Sequence, residues 1–190
     1  MSEGSVPQLL AQAETFLRSG HIQESVFLCD AVLGREPRNA AANTVKGLCL
    51  IKLGRRGEAL AEFKRARELE PADAGVRWTL GLALDEADLP TEALAELDEA
   101  LRLEPAHAKA RLARGSVRQR LGDFEGARGD LDEVLRGEPG SVEALVLRGC
   151  CHLGAGRAEE AKADLKRALE LDPAQRARVE KLTRGLLSLD

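Results

Sequence analysis

Five prolines, Pro37, Pro71, Pro105, Pro139 and Pro173, recur at a constant interval of 34 residues. A fixed period of this length is the mark of a repeat architecture. Each unit is then one supersecondary element that can bury its apolar face only against its neighbours. The words that run into the prolines agree too: GREP, ELEP, RLEP, RGEP and ELDP. On this period the chain divides into blocks 6–39, 40–73, 74–107, 108–141 and 142–175, with 1–5 as an N-terminal extension and 176–190 as a tail.

Four more columns keep the register, and each has a physical reason. Gly47, Gly81, Gly115 and Gly149 hold the eighth position of blocks two to five, with Ala13 in the first. Ala59, Ala93, Ala127 and Ala161 hold the twentieth, with Ser25 in the first. Small residues at both places let two antiparallel helices approach closely. Phe63, Leu97, Leu131 and Leu165 at the twenty-fourth position, with Cys29 in the first block, fill the space between those helices. Gly20, Gly54, Gly122 and Gly156 at the fifteenth supply the positive φ that a helix C-terminal cap requires, and the third block substitutes Asp88. The closing proline ends the second helix of each block.

Composition fits an all-α chain. Ala, Leu, Arg and Glu dominate, aromatics are 3%, and there is no tyrosine. The net charge of -4 argues against a nucleic-acid binder, which needs a basic surface. No 18-residue apolar run offers a membrane span, and no basic-then-apolar stretch follows Glu3, so the expectation is a cytoplasmic location. Cys29, Cys49, Cys150 and Cys151 form no C-x-x-C pair. They read as packing cysteines rather than as a disulfide framework, and Cys150, Cys151 and His152 lack the spacing of a zinc site.

The 34-residue period with these columns resembles the tetratricopeptide repeat over about 170 of the 190 residues. The resemblance implies a right-handed α-superhelix, an α-α solenoid of antiparallel helix pairs with about eleven helices and a concave groove. Val179, Leu182, Leu186 and Leu187 in the tail stand at helical spacing and resemble the capping helix that covers a last repeat. Departures from the family pattern are Asn43, Arg77 and Arg111 at the fourth position, and Arg118 and His152 at the eleventh. They suggest looser fourth and fifth repeats, or Arg stems that cover apolar surface with their heads in water.

In this family the groove is lined by positions two, five, nine, twelve and thirteen of each first helix. Carried over, the resemblance implies a partner-binding set of Leu48, Ile51 and Lys52 in the second repeat and Trp78, Leu82, Asp85 and Glu86 in the third. The fourth adds Lys109, Leu112, Ser116, Gln119 and Arg120, and the fifth adds Val146. The apolar members would form a docking strip for an amphipathic helix or extended peptide, with Trp78 as its anchor. Packing of neighbouring first helices against each other would use up part of that strip. The third repeat carries eight acidic and two basic residues, whereas the first helix of the fourth holds Lys109, Arg111, Arg114, Arg118 and Arg120 and no acid. These charges either pair with each other or set a partner's register. The positions that hold a free carboxylate in chaperone-binding relatives offer only Lys109 as a suitable residue.

Catalysis has little footing. His21, His107 and His152 lie in different repeats, and no G-x-S-x-G, H-E-x-x-H or phosphate-binding loop is present. The string Asp85-Glu86-Ala87-Asp88 therefore spells a helicase box by coincidence. The expectation is a non-enzymatic adaptor or scaffold for another protein, without cofactor or metal. The alternatives are a chaperone shielding an apolar client segment, and a self-assembling scaffold whose repeats stack end to end.

Overall fold

A computed structural model describes residues 4–183, all of it helix and short turns. The first helices of the repeats are α1 (Val6–Ser19), α3 (Ala40–Lys52), α5 (Ala74–Glu86), α7 (Ala108–Arg120) and α9 (Val142–Gly154). The second helices are α2 (Ile22–Arg35), α4 (Arg56–Leu69), α6 (Pro90–Leu103), α8 (Phe124–Gly137) and α10 (Ala158–Leu171). Each set starts at the 34-residue interval of the prolines. A 3-10 turn, Pro173–Gln175, leads into α11 (Arg176–Thr183). Val179 of α11 is fully buried and Leu182 exposed, while Leu186 and Leu187 lie outside the described residues.

The prolines act one residue earlier than their own position. Glu36, Glu70, Glu104, Glu138 and Asp172, each just before a proline, cap the second helices with φ between -127° and -142°. The pyrrolidine ring excludes helical geometry from the residue that precedes it, so the helix ends there. At the other turn, Gly20, Gly54, Gly122 and Gly156 all have φ between 75° and 84°. Asp88 takes the same left-handed conformation with φ 60°, the only non-glycine residue to do so among the described residues.

The close approach of paired helices is visible atom by atom. A Cβ built on Gly81 would stand 2.8 Å from Leu97 Cγ, and one on Gly149 would stand 2.8 Å from Leu165 Cγ. The first repeat reaches the same fit with the sizes exchanged: Ala13 replaces glycine, Cys29 replaces leucine, and both are fully buried. Ser25 there donates a 2.7 Å hydrogen bond to the Ala13 carbonyl.

The helices divide into two compact units between Pro105 and Ala106. In the first unit, α1–α6, α2 and α4 each pack on both their own first helix and the next one, and α6 packs on α5. First helices also touch each other, α1 with α3 and α3 with α5, whereas α2, α4 and α6 make no comparable contact among themselves. The unit therefore curves with its first helices on the inner side. In the second unit, α7–α11, α7 likewise touches α9, and α11 closes on α9.

Candidate functional site

The inner face of the first unit is built by the middle and C-terminal turns of α3 and α5. Leu48 and Ile51 on α3 are half-buried, and Lys52 at its end is exposed. On α5, Trp78 is half-buried and Leu82, one turn further on, is 36% exposed in the middle of a regular helix. Asp85 is half-buried and Glu86 exposed, with Arg56 Nε reaching Glu86 at 4.0 Å. On α1, Leu10 and Leu17 are half-buried against the core formed by Leu9, Ala13 and Val45.

In the second unit the corresponding face is more polar. Lys109 and Arg120 of α7 are exposed, and Ser116 and Gln119 are half-buried. Leu112 is half-buried and packs on the unit's core. Val146 departs from the expected strip: it has no exposed surface and sits in the core with Leu131, Leu145 and Leu165. The helices α7 and α9 lie against each other, so this position is spent on packing.

The departures at the fourth and eleventh positions have a cause the sequence did not declare. The heads of Arg77, Arg118 and His152 are not in water but against buried or half-buried acids of the paired second helix. Arg77 donates to Glu96 at 2.7 Å and to the Pro71 carbonyl at 2.7 Å. Arg118 donates to Asp130 at 2.8 Å, and Arg114 adds a two-pronged bond to the same carboxylate. His152 Nε2 lies 3.7 Å from Asp164. Asn43 is buried and donates to the Asn39 carbonyl at 3.0 Å.

These pairs belong to a ladder that repeats with the helices. The base at position seven of a first helix meets the acid at position twenty-three of its own second helix, and in the second and fifth repeats also an acid on the preceding second helix. Lys46 reaches Glu62 at 3.3 Å and Asp30 at 2.8 Å. Arg148 bonds Asp164 through two nitrogens, at 2.8 and 2.6 Å, and Asp132 at 2.7 Å. The carboxylate of Asp164, with that of Asp132, holds the Arg148 guanidinium well above its usual pKa. The third repeat has Leu80 at position seven, buried at 1%, and there Arg77 and Arg67 serve Glu96 instead. The signal in the sequence was a run of Lys46, Arg114, Arg148 opposite Glu62, Glu96, Asp130, Asp164.

A second missed column caps the first helices. Asn39, Asp73 and His107 accept hydrogen bonds at 2.9, 2.8 and 3.1 Å from the N–H groups of Ala42, Val76 and Ala110. His107 accepts through its Nδ1. Among the cysteines, burial pushes the Cys29 and Cys151 thiols up to about 12. Among the described residues no group of three His, Cys, Asp or Glu is placed to hold a metal ion, and no helix is long and apolar enough to cross a membrane.

Comparison with known proteins agrees with this geometry. The family model for the tetratricopeptide repeat matches residues 10–75, 50–108 and 112–176. No curated protein matches the sequence. Among solved structures, PilW, a widely conserved type IV pilus biogenesis factor, superposes with a TM-score of 0.87 at 20% identity, over 97% of this chain and 87% of that one. YrrB, described as a TPR protein with an unusual peptide-binding site, gives 0.73 at 20% identity, over 91% and 89%. A thermophilic TPR protein of Thermus thermophilus gives 0.76 at 24% identity, over 96% and 100%. With paired helices at a 34-residue interval and family matches over most of its length, the chain belongs to the tetratricopeptide repeat family.

Proposed function

We propose that the chain is a non-catalytic adaptor that holds a peptide or amphipathic helix of a protein partner on the inner face of its first helices. The observation that carries this reading is Leu82, 36% exposed at mid-helix beside the half-buried Trp78. Solvating a leucine there costs stability that a bound apolar group would recover, at about 25 cal/mol per Å2 of apolar area covered. The tetratricopeptide fold supports an interaction role in general, and YrrB is described as having a peptide-binding site. Lys52, Asp85 and Glu86 supply the polar rim of such a face in the first unit, and Lys109, Ser116, Gln119 and Arg120 give the first helix of the second unit a polar face of its own.

One observation weighs against end-to-end self-assembly through the first repeat. In α3, positions three, six and ten are the buried Ala42, Val45 and Cys49, which pack with Leu28, Cys29 and Val32 of the preceding second helix. In α1 the same positions are Gln8, Ala11 and Thr15, all exposed. A polar or small surface there offers a second copy stacked on the first repeat little apolar area to bury.

The test is binding of peptides selected from a random library against the folded chain. Leu82→Ser, and separately Trp78→Ala with Leu82→Ala, should weaken the selected peptides by about tenfold or more while helical content is kept. Unchanged affinity in both variants would show that the face is not the binding site.

A further inference from the structure

Position thirty of each repeat is the last residue of the second helix, and three repeats place a leucine there: Leu69, Leu103 and Leu171. In the second repeat Leu69 packs on the cluster of Ala40, Ala66 and Val76, so it lies across the start of its own first helix. The first repeat has Arg35 instead, whose guanidinium donates to the Gly4 carbonyl. The fourth repeat has Gly137 and no side chain at all.

The missing leucine leaves a hole. A Cβ built on Gly137 meets nothing within 4 Å. Ala108, which begins α7, is exposed, whereas its counterparts Ala40 and Ala74 are only 3% and 9% exposed. Ala108 and Val134 stand where Ala40 and Ala66 stand beneath Leu69, and with Ala106 and Gly137 they line a cavity of about 410 Å3. Arg111 and Glu133, 4.0 Å apart, form its polar rim. An apolar floor within a polar rim is the anatomy of an interface pocket, and the volume falls in the roughly 300–1,000 Å3 range of ligand sites. All these residues belong to the second unit, and none of them is part of the inner face proposed above.

We propose that this cavity is a second docking site, which takes one branched aliphatic side chain, a leucine or isoleucine, from a segment of a protein partner. The chain itself identifies the occupant, because in three other repeats its own leucine stands at the same place. Gly137 withholds that side chain although its backbone is helical and has no positive φ that would call for glycine. The glycine costs helix stability and leaves Ala108 in water. An aliphatic group from outside covers the Ala106, Ala108 and Val134 floor, and the polar backbone that carries it meets the Arg111–Glu133 rim. With the anchor held in a hole rather than on a flat surface, most of the affinity rests on that one residue.

Restoring the leucine tests both the shape of the hole and its use. Gly137→Leu should raise the thermal midpoint by about 2–4 °C beyond Gly137→Ala, which reports helix propensity alone. Peptides are then selected from a random library against the full chain, with those that bind Gly137→Leu removed. The enriched peptides should share one leucine or isoleucine and bind Gly137→Leu at least about tenfold more weakly than the parent. Replacing the shared residue by alanine should cost a similar factor, and Leu82→Ser should leave their affinity unchanged. A midpoint for Gly137→Leu no higher than that for Gly137→Ala overturns the proposal, since the hole would not fit a leucine. A selection that yields no peptide, or peptides with no shared aliphatic residue, overturns it as well. Peptides that need Leu82 assign the binding to the inner face, which overturns the second site and leaves the adaptor reading standing.

Discussion

Gly81 and Leu97 are fitted to each other: a methyl group on the glycine would stand 2.8 Å from Leu97 Cγ. Leu97 is fully buried, so it has little room to withdraw. Gly81→Ala should therefore destabilise the protein by about 1–2 kcal/mol, because overpacking outweighs the gain in helix propensity. Adding Leu97→Cys copies the Ala13–Cys29 pair of the first repeat and should relieve the clash. The coupling is measured by urea denaturation of the two single variants and the double. Additive losses would show that the two sites do not share a space.

Asp88 carries a cost that its four counterparts avoid. Its φ of 60° is one that an L side chain adopts at a penalty of roughly 1 kcal/mol. Asp88→Gly should raise the thermal midpoint, and Gly122→Ala in the next repeat should lower it. A midpoint that falls in Asp88→Gly would mean that the aspartate side chain contributes more than its backbone costs.

Arg148 is the hub of the ion ladder in the second unit. Its side chain is 24% exposed, and Asp164 beside it is 10% exposed. Arg148→Met should cost about 2–4 kcal/mol by leaving Asp164 buried without its guanidinium. Arg148→Met with Asp164→Leu should recover much of that loss, since an apolar pair has no charge to desolvate. Denaturation of the three variants decides it. A single variant as stable as the parent would place the pair among surface contacts of no consequence.

The buried thiols set a pH dependence of definite sign. Cys29 and Cys151 are held as thiols up to about 12 by burial, against an ordinary value of 9.0. Between those values the folded chain keeps protons that the unfolded chain releases, so stability should be full below pH 9 and fall as pH rises towards 12. Both cysteines should also resist alkylation at pH 8 until the chain unfolds. Rapid modification of Cys29 in the native protein would contradict the burial.

The repeat, its close helix contacts and its turn glycines were legible because they depend on local geometry that recurs in every block. Gly81, Gly149 and the cap glycines stand where the columns put them. The end of each second helix on Glu36 or its counterpart follows from proline's constraint on the residue before it, one position earlier than the proline itself. The ion ladder went unread for a different reason. Lys46 and Glu62 are 16 residues apart and each looks like a solvated surface residue until two helices are paired. Val146 shows the limit on the site: the position that exposes a side chain on one first helix is covered on another by its neighbour. The sequence carries the residue type, and only packing decides between these outcomes.

The central claim is that a partner segment binds on the first helices, and backbone amide shift mapping with a library-selected peptide tests it most directly. The perturbed residues should include Leu48, Ile51, Trp78 and Leu82, with the outward-facing Phe27, Ala61 and Ala95 of the second helices unchanged. Perturbations confined to Phe27, Ala61 and Ala95, with Trp78 and Leu82 silent, would contradict it.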